Sequence, residues 1–348
     1  MRGARIRNGW FGTLFLVGIF VPFVGFLWGL VIHSRDPVVH VDKPLFALGV
    51  QTWTVEQIGR LRVFYGGASS SSRVILGHDG WLFLGDAAVV DNIEGKDPYR
   101  PGELERCVKS LQAAQIELAG IHSKLLILVA PEKSSVYGDE LPSYLQISNP
   151  IPQNRTDGFV NACRAASVPI VDLRGALSRA RRRGVVPFQK LDTHWNDTGA
   201  ATAASATIDE LKTLGFSLSM PKLTFQIHAE TGGDLARFLG LRSELSEVEQ
   251  RLQSVNGASV DTRSHPEETV EETLSINSNK PGLPTMMMFR DSFGTRLTPI
   301  LARSFSKATV LWPSLPYIDM KRVKADKPDL VILELVERYL THDWQPVR

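Results

Sequence analysis

The 348-residue sequence predicts a three-layer α/β domain with a mainly parallel sheet, preceded by one N-terminal transmembrane helix. Two observations predict the domain. Unbroken apolar runs of strand length recur along the chain (KLLILVAP, VPIVDL, TMMMF, KATVLW and DLVILELV), as expected of strands buried on both faces. Segments with helical spacing of apolar positions separate these runs, the alternation that builds parallel sheets. A third observation predicts the membrane helix: Trp10 to Ile32 contains no charged residue. About 20 apolar residues at 1.5 Å each cross a hydrocarbon core, and backbone groups in lipid must bond internally, so the segment reads as a helix.

Composition narrows the function. The chain is 43% hydrophobic and 22% charged, which excludes wholesale disorder, collagen-like repeats and coiled coil. A formal charge of +2 lacks the basic excess of a phosphate-binding surface, so no nucleic-acid partner is expected. Neither cysteine lies in a CxxC or Cys/His cluster. Cys107 and Cys163 read as small buried apolar side chains, with pairing as the alternative.

Arg2, Arg5 and Arg7 precede the apolar run, so the positive-inside bias keeps residues 1–9 cytoplasmic and exports the rest. A cleaved signal peptide would have a shorter apolar stretch and a small-x-small site; VIHSRDP offers none, so 10–32 reads as a retained signal anchor. Residues 33–72 read as a linker ending in GGASSSS. Val74 to Leu76 and Trp81 to Leu84 form a hairpin around Asp79-Gly80. A helix is expected over Glu103 to His122, a strand over Lys124 to Pro131, a helix near Asp157 to Ala166 and a strand at Val168 to Leu173. A basic helix follows (Arg174 to Arg183), then an Ala-rich helix capped by Asn196 or Asp197 and ending near Leu214. Residues 216–280 are polar and broken and read as an insertion or β-rich elaboration of a domain spanning 73–340. A strand at Thr285 running to a turn before Phe293, a helix, and strands at Lys307 to Trp312 and Asp329 to Val336 complete the pattern before the tail, 341–348. No separate carbohydrate-binding module is expected.

Chemistry in open α/β sheets collects past the carboxyl ends of strands. Ser292, in MMMFRDSFG, sits at such an end and before a helix, where backbone N–H groups can face an oxyanion. A serine near neutral pH needs a base, and the base needs orienting. In LDTHWND, Asp192 can accept from Nδ1 of His194 while Nε2 faces Ser292. Taken singly, a serine after a strand is most often a helix cap, and Asp192 reads also as an Asx turn. No second His or carboxylate has ligand spacing beyond DxH, so no metal is expected.

KLDTHWNDTGA, MMMFRDSFG, GHDGWLFL, LVAPEKSSVYGDELP, TGGDLARFLGL and PDLVILELVERYL occur in the order of the AlgJ/AlgX-like alginate O-acetyltransferase family. The chain resembles that family over most of residues 73–340, and its catalytic domain resembles SGNH hydrolases. The resemblance implies Ser292 as nucleophile, His194 as general base and Asp192 as orienting carboxylate. Three departures from the general SGNH pattern stand out. Arg290 replaces the glycine before Asp-Ser, the Asp/His pair precedes the serine, and no GxND block supplies a second oxyanion donor. Lys133, Arg290, Glu337, Arg338 and Tyr339 are candidates for the rim where a sugar chain binds, with surface ion pairs as the alternative. Trp195 is a candidate for stacking on a sugar ring, whereas Trp81 reads as core. The run Arg179 to Arg183 reads as a solvated helix end.

The resulting expectation is an inner-membrane, single-pass enzyme with its catalytic domain in the periplasm, placing acetyl groups on a polysaccharide acceptor through an acetyl-serine. No cofactor is bound. The resemblance implies a multispanning membrane-bound O-acyltransferase (MBOAT) that relays acetyl from cytoplasmic acetyl-CoA. An acetylesterase with the same three residues and a non-catalytic polysaccharide-binding scaffold are the alternatives.

Overall fold

The computed structural model describes residues 71–96, 98–146, 154–256, 258–259, 272–277, 281–313 and 315–348. The expected anchor at 10–32 and most of the linker lie outside these residues. Among the described residues no helix is long and apolar enough to cross a membrane.

Strands β1 (Val74–Leu76) and β2 (Leu82–Leu84) pair antiparallel, Val74 opposite Leu84. Asp79 and Gly80 between them both take positive φ, 49° and 79°, which the Asp-Gly pair tolerates. Then follow α1 (Ala87–Glu94), α2 (Glu103–Ala119), β3 (Lys124–Ala130), the short α3 (Lys133–Val136), α4 (Arg155–Ala165), β4 (Ile170–Asp172), α5 (Arg174–Arg182) and α6 (Asp197–Thr213). The second half comprises β5 (Leu223–Thr231), α7 (Asp234–Phe238), β6 (Ser246–Val255), β7 (Ala258–Ser259), β8 (Glu272–Asn277), β9 (Thr285–Phe289), α8 (Gly294–Leu301), β10 (Lys307–Trp312), α9 (Met320–Asp326) and β11 (Leu330–Val336).

The main sheet has six strands in the order β4-β3-β11-β9-β10-β8. All neighbours pair parallel except β8, which lies antiparallel on the β10 edge. Period-two alternation divides the core between the two faces. Leu126 and Leu128 of β3, Met286 and Met288 of β9 and Leu330 and Ile332 of β11 pack with α6 and α8. Leu125, Ile127, Met287, Val331 and Leu333 face the opposite side, against α2, α4 and α9. The three-layer α/β reading is therefore the observed one. Asn196 caps α6, its side chain accepting from Gly199 N–H. Cys107 and Cys163 are free and buried, and burial pushes both thiols up to about 12.

The polar stretch 216–280 contributes a second sheet, β5-β6-β7, with α7 in the connection between β5 and β6. Its β5–β6 ribbon stands against the site described next.

Candidate active site

β9 ends at Phe289, and Arg290 N–H still bonds Leu311 O at 3.0 Å, so the turn that follows is held against the sheet. Asp291 shapes that turn: one carboxylate oxygen accepts from Phe293 N–H at 2.7 Å and the other from Val336 N–H at 2.6 Å. Beneath it Glu334, fully buried in β11, accepts from Asp291 N–H at 3.1 Å and from the Gly294 backbone. Burial raises both carboxyls, and Asp291's charge pushes Glu334 further, well above its usual range. The two backbone groups that bracket Ser292 are thus fixed from below. Ser292 is half-buried at the start of α8.

Asp192 and His194 lie on the irregular segment between α5 and α6. Asp192 Oδ1 accepts from His194 N–H at 2.9 Å and lies 2.7 Å from Nδ1. His194 Nε2 lies 2.8 Å from Ser292 Oγ. The structure therefore brings Ser292, His194 and Asp192 into one hydrogen-bonded line. A second bond staples the two segments: Trp195 Nε1, next to His194, donates to Phe293 O, next to Ser292, at 3.0 Å.

The 216–280 stretch supplies the rest of the support. Asp234 N–H donates to Asp192 Oδ2 at 3.0 Å, and the Asp234 carboxylate accepts from Thr193 N–H at 2.8 Å and Thr193 Oγ1 at 2.6 Å. Glu247 of β6 accepts from Lys190 N–H at 2.7 Å and Leu191 N–H at 3.1 Å. Gly233 packs so closely on Asp192 that a Cβ there would collide with it. Sequence reasoning missed Asp234 and Glu247. The TGGD motif was a usable signal for Asp234, because paired glycines before an acid mark a close backbone approach; Glu247 had none.

Burial alone would raise Asp192, but the hydrogen bonds and charge of His194 and the Asp234 N–H hold it well below the carboxylate range. Burial favours a neutral His194 ring; the Asp192 hydrogen bond and charge, with Asp234, outweigh this and raise its pKa above the ordinary value. The arrangement can therefore take a proton from Ser292 Oγ and stabilise the resulting imidazolium.

Ser292, His194 and Asp192 line a cavity of about 480 Å³, within the ~300–1,000 Å³ of typical small-ligand sites. Its wall includes Glu230 and Arg251 of the ribbon, Arg237, Arg242, Thr295, Arg296 and Trp312. Arg296 bonds Asp197 at 2.8 Å, and Arg251 pairs with Glu230.

The other candidates from the sequence lie elsewhere. Lys133 is buried, 3% exposed, and its ammonium donates to Leu82 O at 2.6 Å and Lys190 O at 3.0 Å, tying the hairpin to the acid–base segment. Burial lowers its pKa to about 8. Glu337 is buried, accepting from Glu132 N–H and Ser135 Oγ, both at 2.6 Å. Arg338 pairs with Glu132 at 2.7 Å, and Tyr339 is half-buried beside it. None of these four lines this cavity; Lys133 and Glu337 are buried beneath the strand ends, whereas the half-buried Arg338 lies 5.4 Å from the Phe293 ring centre and its charge acts on His194. Trp195 is fully buried and cannot stack on a sugar. Arg290 is also buried, bonding Asp291 O at 2.9 Å and Thr295 Oγ1 at 2.8 Å, with its guanidinium 4.2 Å from the Trp312 ring centre.

Asp192, His194 and Asp234 bring potential metal-ligand atoms within 4.8 Å of one another. Their lone pairs and ring nitrogens already serve Thr193, Ser292 and each other, which suits a proton relay better than a metal.

A serine past a parallel strand, met by an Asp-x-His segment, places the domain in the SGNH hydrolase-like class. The chain belongs to the family described as SGNH hydrolase-like domain, acetyltransferase AlgX, whose model matches residues 74–281. Similar proteins include a probable alginate O-acetylase AlgJ of Pseudomonas aeruginosa, 27% identical, covering 90% of this chain and 80% of that protein. The solved O-acetyltransferase domain of Pseudomonas putida AlgJ matches with a TM-score of 0.50 at 21% identity, covering 78% of this chain and 93% of that one. Bacillus cereus PatB1 matches with a TM-score of 0.53 at 14% identity, covering 78% and 97%.

Proposed function

We infer that the chain is an exported, membrane-anchored O-acetyltransferase that moves acetyl groups onto polysaccharide hydroxyls through an acetyl-Ser292 intermediate. The observation that carries this reading is the 2.8 Å contact between His194 Nε2 and Ser292 Oγ at the wall of a cavity. His194 takes the serine proton as Oγ attacks the acetyl carbonyl, and returns it to the departing donor group. It then takes the proton of a sugar hydroxyl, whose oxygen attacks the acetyl carbon; Ser292 Oγ leaves and regains a proton. The Ser292 N–H, just before α8, is the donor assigned to the developing oxyanion in this reading.

Acetyl-CoA is cytoplasmic, so an exported domain needs a donor that carries acetyl across the membrane. A multispanning O-acyltransferase fills that role, and the apolar segment 10–32 keeps the two together. The AlgJ relatives are named probable alginate O-acetylases, which supports alginate or a related polysaccharide as acceptor. In producing cells, Ser292→Ala is expected to abolish polymer-bound acetyl at normal protein level. Unchanged acetylation overturns the reading.

A further inference from the structure

Trp312 ends β10 directly beside Arg290, since Leu311 pairs in register with Phe289 on the neighbouring strand. Trp81, Trp195 and Trp344 are buried, whereas Trp312 is half-exposed and lines the cavity that holds Ser292 and His194. One face of its indole is covered by the Arg290 guanidinium, 4.2 Å from the ring centre. That guanidinium is itself fixed by Asp291 O and Thr295 Oγ1. The indole is therefore held flat by a buried cation, so a ligand that stacks on it orders little that is not already ordered.

We propose that the face of Trp312 away from Arg290 is the platform on which a pyranose ring of the acceptor stacks, with Arg290 acting through Trp312 rather than on the sugar. This rests on the polysaccharide-acceptor reading and deepens it. A pyranose presents C–H groups on its faces and hydroxyls around its edge. The cavity lining offers the matching surfaces: an aromatic ring in Trp312, and polar groups in Gln189, Glu230 and Arg242. The placement explains why an arginine stands before Asp-Ser, where a glycine would leave the indole without a backing.

The test uses the purified protein with 4-nitrophenyl acetate as donor and a mannuronate hexasaccharide as acceptor, comparing wild type with Trp312→Ala and Trp312→Phe. Labelling of Ser292 by a fluorophosphonate identifies folded protein. The acceptor KM is expected to rise at least ten-fold in Trp312→Ala and no more than about three-fold in Trp312→Phe, with kcat at saturating acceptor within about three-fold of wild type. Arg290→Gly, which leaves the indole in place, is expected to raise the acceptor KM as well. Saccharide-induced quenching of tryptophan fluorescence should vanish in Trp312→Phe, which retains an aromatic ring and keeps the proposal testable if Trp312→Ala fails to fold. Wild-type transfer with an unaltered acceptor KM in both Trp312 variants overturns the platform and leaves the acceptor reading standing. Wild-type protein that releases acetate but acetylates no sugar overturns both.

Discussion

At Ser292 the difference between a helix-capping hydroxyl and a nucleophile is the imidazole 2.8 Å away and the carboxylate that aims it. Asp192→Asn preserves the shape but stabilises the wrong ring tautomer; kcat is expected to fall about 10⁴-fold, measured with an activated acetyl ester. The raised pKa of His194 gives the pH profile its sign. The base must be neutral to act, so kcat/KM should climb with pH through a limb lying above the ordinary histidine value, and Asp192→Asn should move that limb down. Glu334 acts one layer below. Glu334→Gln still offers an oxygen to Asp291 N–H and should fold and turn over. Glu334→Leu leaves that donor buried without a partner and is expected to cost about 1–3 kcal/mol by denaturant unfolding. Ser292, His194 and Asp192 were legible because KLDTHWNDTGA and MMMFRDSFG stand in the order of a known family; each local signal alone fits a helix cap or an Asx turn as well. The burial of Lys133 and Glu337 was not legible, because a charged residue after a strand looks the same in sequence whether it meets solvent or a buried polar partner.

The acid–base segment between α5 and α6 has no regular structure of its own, and its geometry is imposed by its neighbours. Lys133 and β2 hold Lys190 O, Glu247 of β6 holds Lys190 and Leu191 N–H, and Asp234 at the start of α7 holds Thr193. Glu247→Ala removes the acceptor of two backbone donors. A displacement of about 1 Å at the base is worth about 10²-fold in rate, so kcat should fall on that order while fluorophosphonate labelling persists at a reduced rate. Gly233→Ala drives a methyl into Asp192 and should produce a comparable defect, read by the same assay. The β5–β6 ribbon was legible only as a broken polar stretch, because its middle exposes the apolar Ile227 and Val248 and turns Glu230 and Arg251 to the cavity, while only its ends place Leu223, Phe225, Leu252 and Val255 on the core. The middle of the ribbon thus inverts the usual polarity of a half-buried strand and interrupts the apolar alternation. The main-sheet strands carried no such ambiguity: buried on both faces, they read directly as apolar runs.

Over the whole domain, burying carboxyls sets activity and stability against each other. Burial raises Glu249 and Glu337 to about 7, so the folded chain keeps protons that the unfolded chain has released above about 4.5. Their contribution is fully present at acidic pH and lost as pH rises through 7, and the raised His194 works in the same direction. Melting temperature is therefore expected to decline between about pH 4.5 and 7 while kcat/KM climbs; Glu249→Gln should flatten the decline. The layer order of the fold was legible from the alternation of helices and apolar strands. The partnership between the ribbon and the rest of the domain was not, since it depends on polar contacts 55 to 60 residues apart, such as Leu252 N–H on Asp197 and Gln189 on Glu249. Passage of acetyl through Ser292 is tested by rapid quenching with an activated acetyl ester followed by peptide mass spectrometry. One acetyl group on the peptide containing Ser292, absent in His194→Ala and discharged on adding acceptor, is the result predicted. Turnover of the ester with Ser292 unmodified at every time point would contradict it.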